Sequence, residues 1–524
     1  MKLSKSLQAT GLATLIAPVV ADWQYRSRPD LSPPRLNITI RSDTQPLEAG
    51  LLFIAPYPGA EPESKGPAQP AAYIYQDTGD LVWSGLGYFV GDIADFGVSV
   101  YKGEKVLRAF QGQRAETLGR AYGHHVLLND KYEPVKTVRG HSTKLGSAHE
   151  FQLVDEHFAI VEIGSTKPVG LGAWGGAEGQ DWIVSTGFQE LDIETGEVVF
   201  DWESIDHVDP GDSALSLDLL PSSTGTDSSH AWDYFHINSV DKDTEGNYIV
   251  SGRHTKAIYK INGTSGDILW TLGGPGSTFD VEPAARFAFQ HDARLLNRSV
   301  DGSIEVLSLF DNAAASDKQQ ISPFSRARIL QLNHTDNTAT ALRTYPAPDG
   351  LSAHSQGNAQ VLPSGNVLVN WGQAGAVTEF AEDGEVLFHA YLDGEPDGRA
   401  VQNYRGFRQT WTGRPSEEPA LVVLEGDKVT AYVSWNGDTE VATWRFFVHD
   451  ARGKKTLLGE AKRTGFETYL ELDRSHIKGE FRVSAEGVDG KGGVLVSSSP
   501  VAISGDLPIH RQTPEPHGLL SEEL

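Results

Sequence analysis

Three histidines occupy a repeated position in the sequence. His236, His291 and His354 each lie 10 or 11 residues before the glycine of a predicted turn. Only 17 of the 524 residues are histidine, so chance is a weak explanation for this register. Equivalent positions in a repeating β-fold form a ring, and these side chains should therefore converge at one end of a central channel. His149 is expected to begin the same strand in an earlier repeat.

Clustered imidazoles indicate nucleophilic and proton-transfer chemistry. A single buried histidine is more often a structural residue, but in a narrow channel mutual repulsion keeps some imidazoles neutral and nucleophilic near pH 7. Metal binding is the alternative use of such a cluster. The nearest carboxylates, Glu150 and Asp292, directly follow two of the histidines and should face the other side of the strand. The pattern favours catalysis, and no metal or other cofactor is predicted.

Arg253 is expected to join the histidines, because it follows the strand that returns towards the channel. Its planar guanidinium donates paired hydrogen bonds and suits a tetrahedral anion such as sulfate or phosphate. A surface ion pair is the alternative role. Aromatic residues flank the same strands and serve either packing or the stacking of an aromatic ligand: Trp232, Tyr234, Phe235, Phe289, Trp371.

Two kinds of glycine turn must position these residues. One leads into a segment that ends in an aromatic residue, as in TSGDILW (264–270) and EDGEVLF (382–388), and the other into an apolar segment, as in TEGNYIV (244–250) and PSGNVLV (363–369). They alternate about 20 residues apart, which predicts four antiparallel strands per ~50–60 residues, the period of a β-propeller blade. About six such blades fit between residues 50 and 412. A β-sandwich is the alternative.

The sequence changes character near residue 412. A polar, proline-containing linker is followed by strands at the spacing of an immunoglobulin- or fibronectin-like β-sandwich. The prediction is therefore an all-β protein with a six-bladed propeller over residues 22–412 and a sandwich over residues 416–505. Residues 506–524 are predicted to be a disordered tail.

The N-terminus predicts secretion. Residues 1–21 combine the basic Lys2 and Lys5, an apolar stretch and a small-residue cleavage site, which is typical of a signal peptide. A buried N-terminal helix is the alternative. Four N-x-S/T triplets are candidate glycosylation sites of a secreted chain: Asn37, Asn262, Asn297, Asn333.

Composition excludes several functions. With 44 Lys and Arg against 70 Asp and Glu, the net charge of −26 repels nucleic acid and anionic membranes, so neither is a predicted partner. An anionic substrate would need a local positive pocket. The absence of cysteine excludes thiolate chemistry and cysteine-based metal sites. The sequence does not define an oligomeric state.

Beside these features the sequence resembles the arylsulfotransferase family, most closely its fungal, secreted branch. The matching segments are DWQYRSRPDLSPP (22–34), AHEFQL (148–153), AWDYFHINSVDKDTEGNYIVSGRHTKAIYKINGTSGDILWTLGG (231–274), FQHDARLL (289–296), GNAQVLPSGNVLVNWG (357–372) and NYRGFRQTWTGRP (403–415). The resemblance implies a six-bladed propeller and sulfuryl transfer from an aryl sulfate to a phenol without a nucleotide donor. The predicted substrate is thus a small aromatic compound.

The resemblance also implies residue roles. His291 resembles the histidine that is sulfated in bacterial members, His236 a second active-site histidine and Arg253 the active-site arginine. His149 resembles a further histidine, whereas His354 is a candidate from the register alone. Bacterial members carry an N-terminal β-domain, whereas this chain is predicted to place its sandwich at the C-terminus.

Other functions fit the same features. The first is a tailoring enzyme of aromatic secondary metabolism, which would use the histidine-lined channel without sulfate. The second is a secreted, non-catalytic propeller that binds carbohydrate or protein. A quinoprotein dehydrogenase is disfavoured, because the sequence has no regular tryptophan repeat and no cysteine pair.

Overall fold

The computed structural model describes residues 24–59, 66–115, 119–217, 223–392, 401–473 and 481–505. The predicted signal peptide and C-terminal tail lie outside the described residues. Strand accounts for 50% of the structure and helix for 5%, so the predicted all-β class is confirmed. Among the described residues, no helix is long and apolar enough to cross a membrane.

The strands follow one another with short loops and a few 3-10 turns between them. In chain order they are β1 (Asn37–Arg41), β2 (Leu51–Ile54), β3 (Tyr57–Pro58), β4 (Tyr73–Tyr75), β5 (Leu81–Ser84), β6 (Asp92–Tyr101), β7 (Glu104–Ala115), β8 (Arg120–Leu128), β9 (Pro134–Val138), β10 (Leu145–Val154), β11 (Phe158–Pro168), β12 (Trp182–Asp192), β13 (Val198–Glu203), β14 (Ile237–Lys242), β15 (Tyr248–Gly252), β16 (Ala257–Ile261), β17 (Ile268–Gly273), β18 (Asp280–Val281), β19 (His291–Arg298), β20 (Ile304–Asp311), β21 (Ala314–Ser316), β22 (Gln319–Gln320), β23 (Arg326–Asn333), β24 (Thr338–Pro346), β25 (Asn358–Val361), β26 (Val367–Asn370), β27 (Ala376–Phe380), β28 (Val386–Tyr391), β29 (Val401–Gln402), β30 (Phe407–Gln409), β31 (Ala420–Glu425), β32 (Val429–Ser434), β33 (Thr443–His449), β34 (Lys455–Lys462), β35 (Glu467–Leu472), β36 (Arg482–Val488), β37 (Val494–Ser497) and β38 (Val501–Gly505). The 3-10 turns are Leu171–Trp174, Ser204–Asp206, Pro210–Asp212, Ser228–His230, Pro283–Ala285, Pro348–Gly350 and Gly372–Ala374.

The sheets form a propeller-like arrangement in which four blades are recognised and the ring is nearly closed. Four sheets have four or five strands, in the orders β30-β2-β4-β5, β14-β15-β16-β17, β19-β20-β23-β24-β18 and β25-β26-β27-β28-β1. Strands β6 to β13 form one larger sheet, in which β10 pairs with β8. Because β30 pairs with β2, a late segment of the chain is joined to an early one and the ring is held together.

The predicted glycine turns are present. Gly246, Gly302 and Gly365, which define the histidine register, have φ of 86°, 73° and 92°. Backbone in this left-handed region favours glycine, which explains why the turn residue recurs. Each turn connects the first two strands of a sheet: β14 with β15, β19 with β20, and β25 with β26.

Apolar side chains fill the space between neighbouring sheets. In β15, Tyr248 and Val250 belong to the core shared with β11–β13, while Ile249 belongs to the core shared with β19–β24. Burial on both faces explains why this strand is a continuous apolar segment instead of an alternating one. Each such side chain contributes roughly 1.5–3 kcal/mol by leaving water.

The C-terminal strands β31–β38 form an eight-stranded sheet with a separate core around Val433, Trp444 and Phe446. This part contacts the propeller closely. Asn436 accepts a hydrogen bond from the Ser84 backbone N–H at 2.8 Å and donates to the Ser84 carbonyl at 2.9 Å. In the predicted linker, the backbone N–H of Arg414 donates to the carbonyl of Asp130 at 2.8 Å, so the linker also contacts the propeller. The domain boundary itself stays a prediction.

Candidate active site

His236 is paired with an aspartate three residues before it. The imidazole Nδ1 lies 2.5 Å from Oδ2 of Asp233, and both side chains are buried. A carboxylate accepts here, so Nδ1 carries the proton and Nε2 keeps its lone pair. His236 lies immediately before β14 and has a φ of 57°. Its side chain therefore does not follow the alternation of side chains between the two faces of the strand. The pair has the geometry of an oriented general base.

His254 stacks on His236, with ring centroids 4.6 Å apart. Its Nδ1 donates to the backbone carbonyl of Asp233 at 2.5 Å, and its Nε2 accepts from Arg253 at 2.7 Å. Both ring nitrogens are thus engaged in a way that only the neutral imidazole allows. His254 acts as a neutral support that fixes the position of the guanidinium.

Arg253 is buried without a carboxylate partner among the described residues. Besides His254, its guanidinium donates to the backbone carbonyl of His354 at 2.8 Å, and its Nε has no hydrogen-bond partner. Burial lowers the Arg253 pKa to about 10, although nearby Asp233 opposes this effect. A buried cation with a free donor is costly unless an anion occupies the site.

His149 lies in β10 on the other side of His236, with ring centroids 4.9 Å apart at a steep angle. Its Nδ1 is 2.9 Å from the hydroxyl of Ser147 and 3.5 Å from a carboxylate oxygen of Glu162. Glu162 is itself held by a buried Arg120 at 2.5 Å. The position of His149 is therefore fixed through a paired carboxylate.

His291 begins β19 and is held at both ring nitrogens. Nδ1 lies 2.6 Å from Oδ1 of Asn312, and the backbone N–H of Gln356 donates to Nε2 at 3.1 Å. The Asn312 amide group donates to the carbonyls of Ala353 and Gln356, which fixes Oδ1 as the atom facing His291. The imidazole is therefore neutral, protonated on Nδ1 and with its lone pair on Nε2.

Tyr404 links the two histidine positions. Its ring centroid is 5.5 Å from that of His149 and 6.5 Å from that of His291, and its hydroxyl donates to the His149 carbonyl at 3.2 Å. We call the group His149, His236, His254, His291 and Arg253 the histidine cluster. Four of the five predicted site residues belong to it.

His354 is placed differently from the other predicted histidines. It meets the histidine cluster through its backbone carbonyl, which accepts from Arg253. Its imidazole is partly exposed, and Nε2 lies 3.5 Å from the exposed carboxylate of Asp317. The main chain of His354 is thus at the site, as the register predicts. The described contact of its side chain is with an exposed aspartate.

Burial lowers the pKa of every imidazole in the histidine cluster. The pKa lies well below 6.5 for three of them: His236, His254, His291. After burial, the neighbouring Arg253 lowers the pKa of His291 further, because it repels a second positive charge. Neutral imidazoles near pH 7 are the nucleophilic form.

One group of side chains offers ligand atoms that a metal could use. Atoms of Asp233, His236 and His254 lie within 4.8 Å of one another. However, Arg253 donates to Nε2 of His254, and Nε of the buried Arg120 is 3.6 Å from Oδ2 of Asp233. Two buried cations beside the candidate ligands disfavour a metal ion and favour an anion.

The carboxylates expected to face away from the site are paired on its far side. Glu150 accepts from Arg294 at 2.7 Å and from Arg405 at 3.1 Å, and Asp292 contacts the same two arginines. All four side chains belong to a buried ion network. These carboxylates are therefore occupied in structural pairs.

Sequence reasoning missed Asp233, His254, Asn312 and Tyr404. The first two had a signal, since Asp233 is three residues from His236 and His254 adjoins Arg253. Asn312 and Tyr404 come from distant positions, and neither position carries a motif that predicts its contact with a histidine.

Comparison with known proteins gives one strong match. A family model described as Arylsulfotransferase (ASST) matches residues 97–392, more than half of the chain. No curated protein matches. Similar solved structures include a protein of unknown function from Bacteroides caccae (13% identity, 68% of this chain and 98% of that chain, TM-score 0.37) and the hydrazine synthase of Kuenenia stuttgartiensis (11% identity, 67% and 77%, TM-score 0.32). At these TM-scores, neither structure bears on fold or function.

Proposed function

The chain belongs to the arylsulfotransferase family, and we propose that it transfers a sulfuryl group between phenolic compounds through a covalent intermediate on His291. The observation that carries this proposal is the buried guanidinium of Arg253, which has no carboxylate hydrogen-bond partner among the described residues and lies beside neutral imidazoles. Its Nε has no hydrogen-bond partner among the described residues and would donate to an oxygen of the sulfate group of an aryl sulfate. No nucleotide donor is required in this scheme.

The first step forms the covalent intermediate. The lone pair of His291 Nε2 attacks sulfur, the sulfur–oxygen bond to the aryl group breaks, and the phenolate leaves. The products of this step are an N-sulfonated imidazolium and, after protonation, a free phenol. Arg253 stabilises the sulfuryl oxygens throughout, because its charge is fixed and buried.

His236 is the proposed acid and base. Binding of the anionic sulfate ester favours the imidazolium, so Nε2 of His236 takes up one proton from solvent and then gives it to the leaving phenolate. In the second step the neutral imidazole takes the proton of the acceptor phenol, whose oxygen attacks sulfur and releases His291. Asp233 holds Nδ1–H throughout and stabilises the transient imidazolium. His149, 4.9 Å away, limits the positions that His236 can take.

Nε2 of His291 must be released before it can attack. In the structure it accepts from the backbone N–H of Gln356, a residue with a φ of 65°. A non-glycine residue in this region stores roughly 1–3 kcal/mol of strain. A modest movement of the Gln356 peptide on substrate binding would relieve this strain and free the lone pair.

We propose the finer architecture on the same basis. The eight-stranded sheet β6–β13 has the strand count of two blades, which with four further sheets gives six. The separate core of β31–β38 supports an immunoglobulin- or fibronectin-like sandwich. Secretion and membership of a fungal branch remain proposals from sequence. Of the candidate glycosylation sites, Asn297 is exposed and the other three are partly buried, so Asn297 is the best placed.

The proposed function is tested with 4-nitrophenyl sulfate as donor and phenol as acceptor. We expect 4-nitrophenol release to require phenol beyond the first turnover, with phenyl sulfate as the second product. Sustained release without an acceptor, yielding inorganic sulfate, would contradict a transferase. The absence of any release across a broad panel of aryl sulfates would contradict sulfuryl transfer itself.

A further inference from the structure

A cavity of about 420 Å³ is lined by residues of β3 and β6 and by Arg114 of β7. Its lining is mixed. Three prolines, Tyr57 and Ile93 form the apolar part, and Asp92 and Arg114 form the charged part. Cavities of this size bind small organic molecules, and an apolar wall of rigid prolines around one aromatic ring favours an aromatic ligand.

One layer of side chains separates this cavity from His291. The backbone N–H of Gln356 donates to His291 Nε2 at 3.1 Å. The Gln356 side chain also donates to Gln402 at 2.6 Å, and Gln402 pairs with Tyr57 across β3 and β29. The cavity residue Tyr57 is therefore connected to His291 through Gln402 and Gln356.

Among the described residues, the cavity lining holds one cation, Arg114, and its ion-pair partner Asp92. The guanidinium of Arg114 lies 4.6 Å from the ring centroid of Tyr57, and its side chain is 38% exposed. Its ion pair with Asp92 is long, at 3.6 Å. In a chain with a net charge of −26, an accessible arginine at a cavity mouth lowers the barrier to an approaching anion.

We propose that this cavity binds the aromatic ring of an aryl anion, with Arg114 guiding the anion in and Gln356 separating the ring from His291. The inference rests on the proposed function in that the natural ligand is taken to be an aryl sulfate. A ring held against Tyr57 would place a substituent at the Gln356 wall, where displacement of the peptide exposes Nε2 of His291.

The test measures binding of naphthalene-2-sulfonate by calorimetry. This probe has an aromatic ring and an anionic sulfur group, but its carbon–sulfur bond is not broken by an imidazole, so binding is measured apart from transfer. The variants are Ile93→Trp, which fills the cavity, and Arg114→Gln, which removes the charge. Arg41→Gln is the matched control, because Arg41 is also exposed and paired with an aspartate, Asp77, but is not part of this cavity.

We expect Ile93→Trp to weaken binding about tenfold or more, and Arg114→Gln to weaken it several-fold at low salt, with a smaller effect at high salt. Arg41→Gln should bind like the wild type. Lack of binding by the wild type, or unchanged binding in both cavity variants, would overturn the proposal. If Ile93→Trp fails to fold, the proposal is tested by Arg114→Gln alone. Binding of naphthalene-2-sulfonate by Arg114→Gln at the wild-type affinity at low salt would then overturn it.

The same variants separate this inference from the proposed function. Sulfonate binding that depends on Ile93 and Arg114, without any transfer from 4-nitrophenyl sulfate, would support the cavity and contradict the transferase. Transfer at the wild-type kcat/KM in folded Ile93→Trp would overturn the cavity and leave the transferase in place.

Discussion

The imidazole of His291 donates from Nδ1 to the side-chain oxygen of Asn312 across 2.6 Å. The Asn312 amide is fixed by two backbone carbonyls, so the partner atom on His291 must carry a proton. This relationship selects Nε2 as the nucleophilic nitrogen before any substrate binds. It also keeps the imidazole neutral, since the Gln356 N–H occupies the other nitrogen.

Asp233→Asn should greatly slow sulfuryl transfer. The asparagine amide would donate to Nδ1 of His236 and move the proton to Nε2, where the lone pair is needed. We expect turnover to fall roughly 10²–10⁴-fold, as for the loss of a general base. Steady-state kinetics with 4-nitrophenyl sulfate and phenol measure this.

A matched control exists for that variant. Asp227 and His230 have the same three-residue spacing and a contact of 2.9 Å, but both are exposed. Asp227→Asn should leave turnover unchanged. Wild-type turnover in Asp233→Asn would contradict the role of the buried pair.

Arg253→Lys should retain part of the activity. The guanidinium contacts His254 and the His354 carbonyl with two different nitrogens and keeps a third for an anion. A lysine ammonium preserves the charge but not this planar arrangement. We expect a decrease of about 10- to 100-fold in kcat, and a larger decrease in Arg253→Gln. Equal activity of the two variants would show that the charge of residue 253 is not used.

His125 predicts a pH dependence of stability that is separate from catalysis. The imidazole is fully buried and stacks on Phe151 at 4.2 Å, and burial, with a smaller effect of Arg108, lowers its pKa to about 3. The unfolded chain binds this proton near pH 6.5 and the folded chain does not, so the stability is fully present above 6.5 and is lost as the pH falls towards 3.

The test compares wild type with His125→Phe in urea unfolding at pH 7 and pH 5. Between pH 6.5 and 5, one such histidine lowers the free energy of unfolding by about 2 kcal/mol. From pH 7 to pH 5, the free energy of unfolding of His125→Phe should therefore fall by about 2 kcal/mol less than that of the wild type. Identical losses in the two proteins would contradict the assignment of a strongly lowered pKa to His125.

Asn436→Ala should lower stability without affecting chemistry. It removes two hydrogen bonds to the backbone of Ser84 at the contact between the C-terminal strands and the propeller. We expect a loss of roughly 1–3 kcal/mol, because the Ser84 groups are left unpaired and buried. Asn436→Asp retains the acceptor but places a second oxygen against the Ser84 carbonyl and buries a charge, so it should lose at least as much. Impaired turnover without a loss of stability would indicate a catalytic role for this contact.

The sequence predicted those parts of the fold that repeat. The turn glycines Gly246, Gly302 and Gly365 share a left-handed backbone conformation that few other residues tolerate, so their spacing is visible in the sequence. A histidine at a constant distance from such a turn takes the same position in each hairpin. The all-β class and the gathering of His236 and His291 follow from this repetition.

Side-chain directions near the channel could not be predicted in the same way. His236, Phe289 and Asp292 all have φ between 54° and 57°. Such residues interrupt strand alternation, so a rule in which successive side chains face opposite sides does not hold there. The partners of His291 were also inaccessible, because Asn312 and Gln356 lie 21 and 65 residues away and are brought in by loops.

The central claim is that His291 carries the sulfuryl group. The most direct measurement is mass spectrometry of the protein after brief exposure to 4-nitrophenyl sulfate without an acceptor, with peptides kept at neutral or alkaline pH. We expect a gain of one sulfuryl group on the peptide that contains His291, and its loss when phenol is added. Folded His291→Asn, which retains polarity but lacks the nucleophilic nitrogen, should show neither the modification nor transfer. A sulfuryl group on another residue, or transfer at the wild-type rate in His291→Asn, would contradict the account.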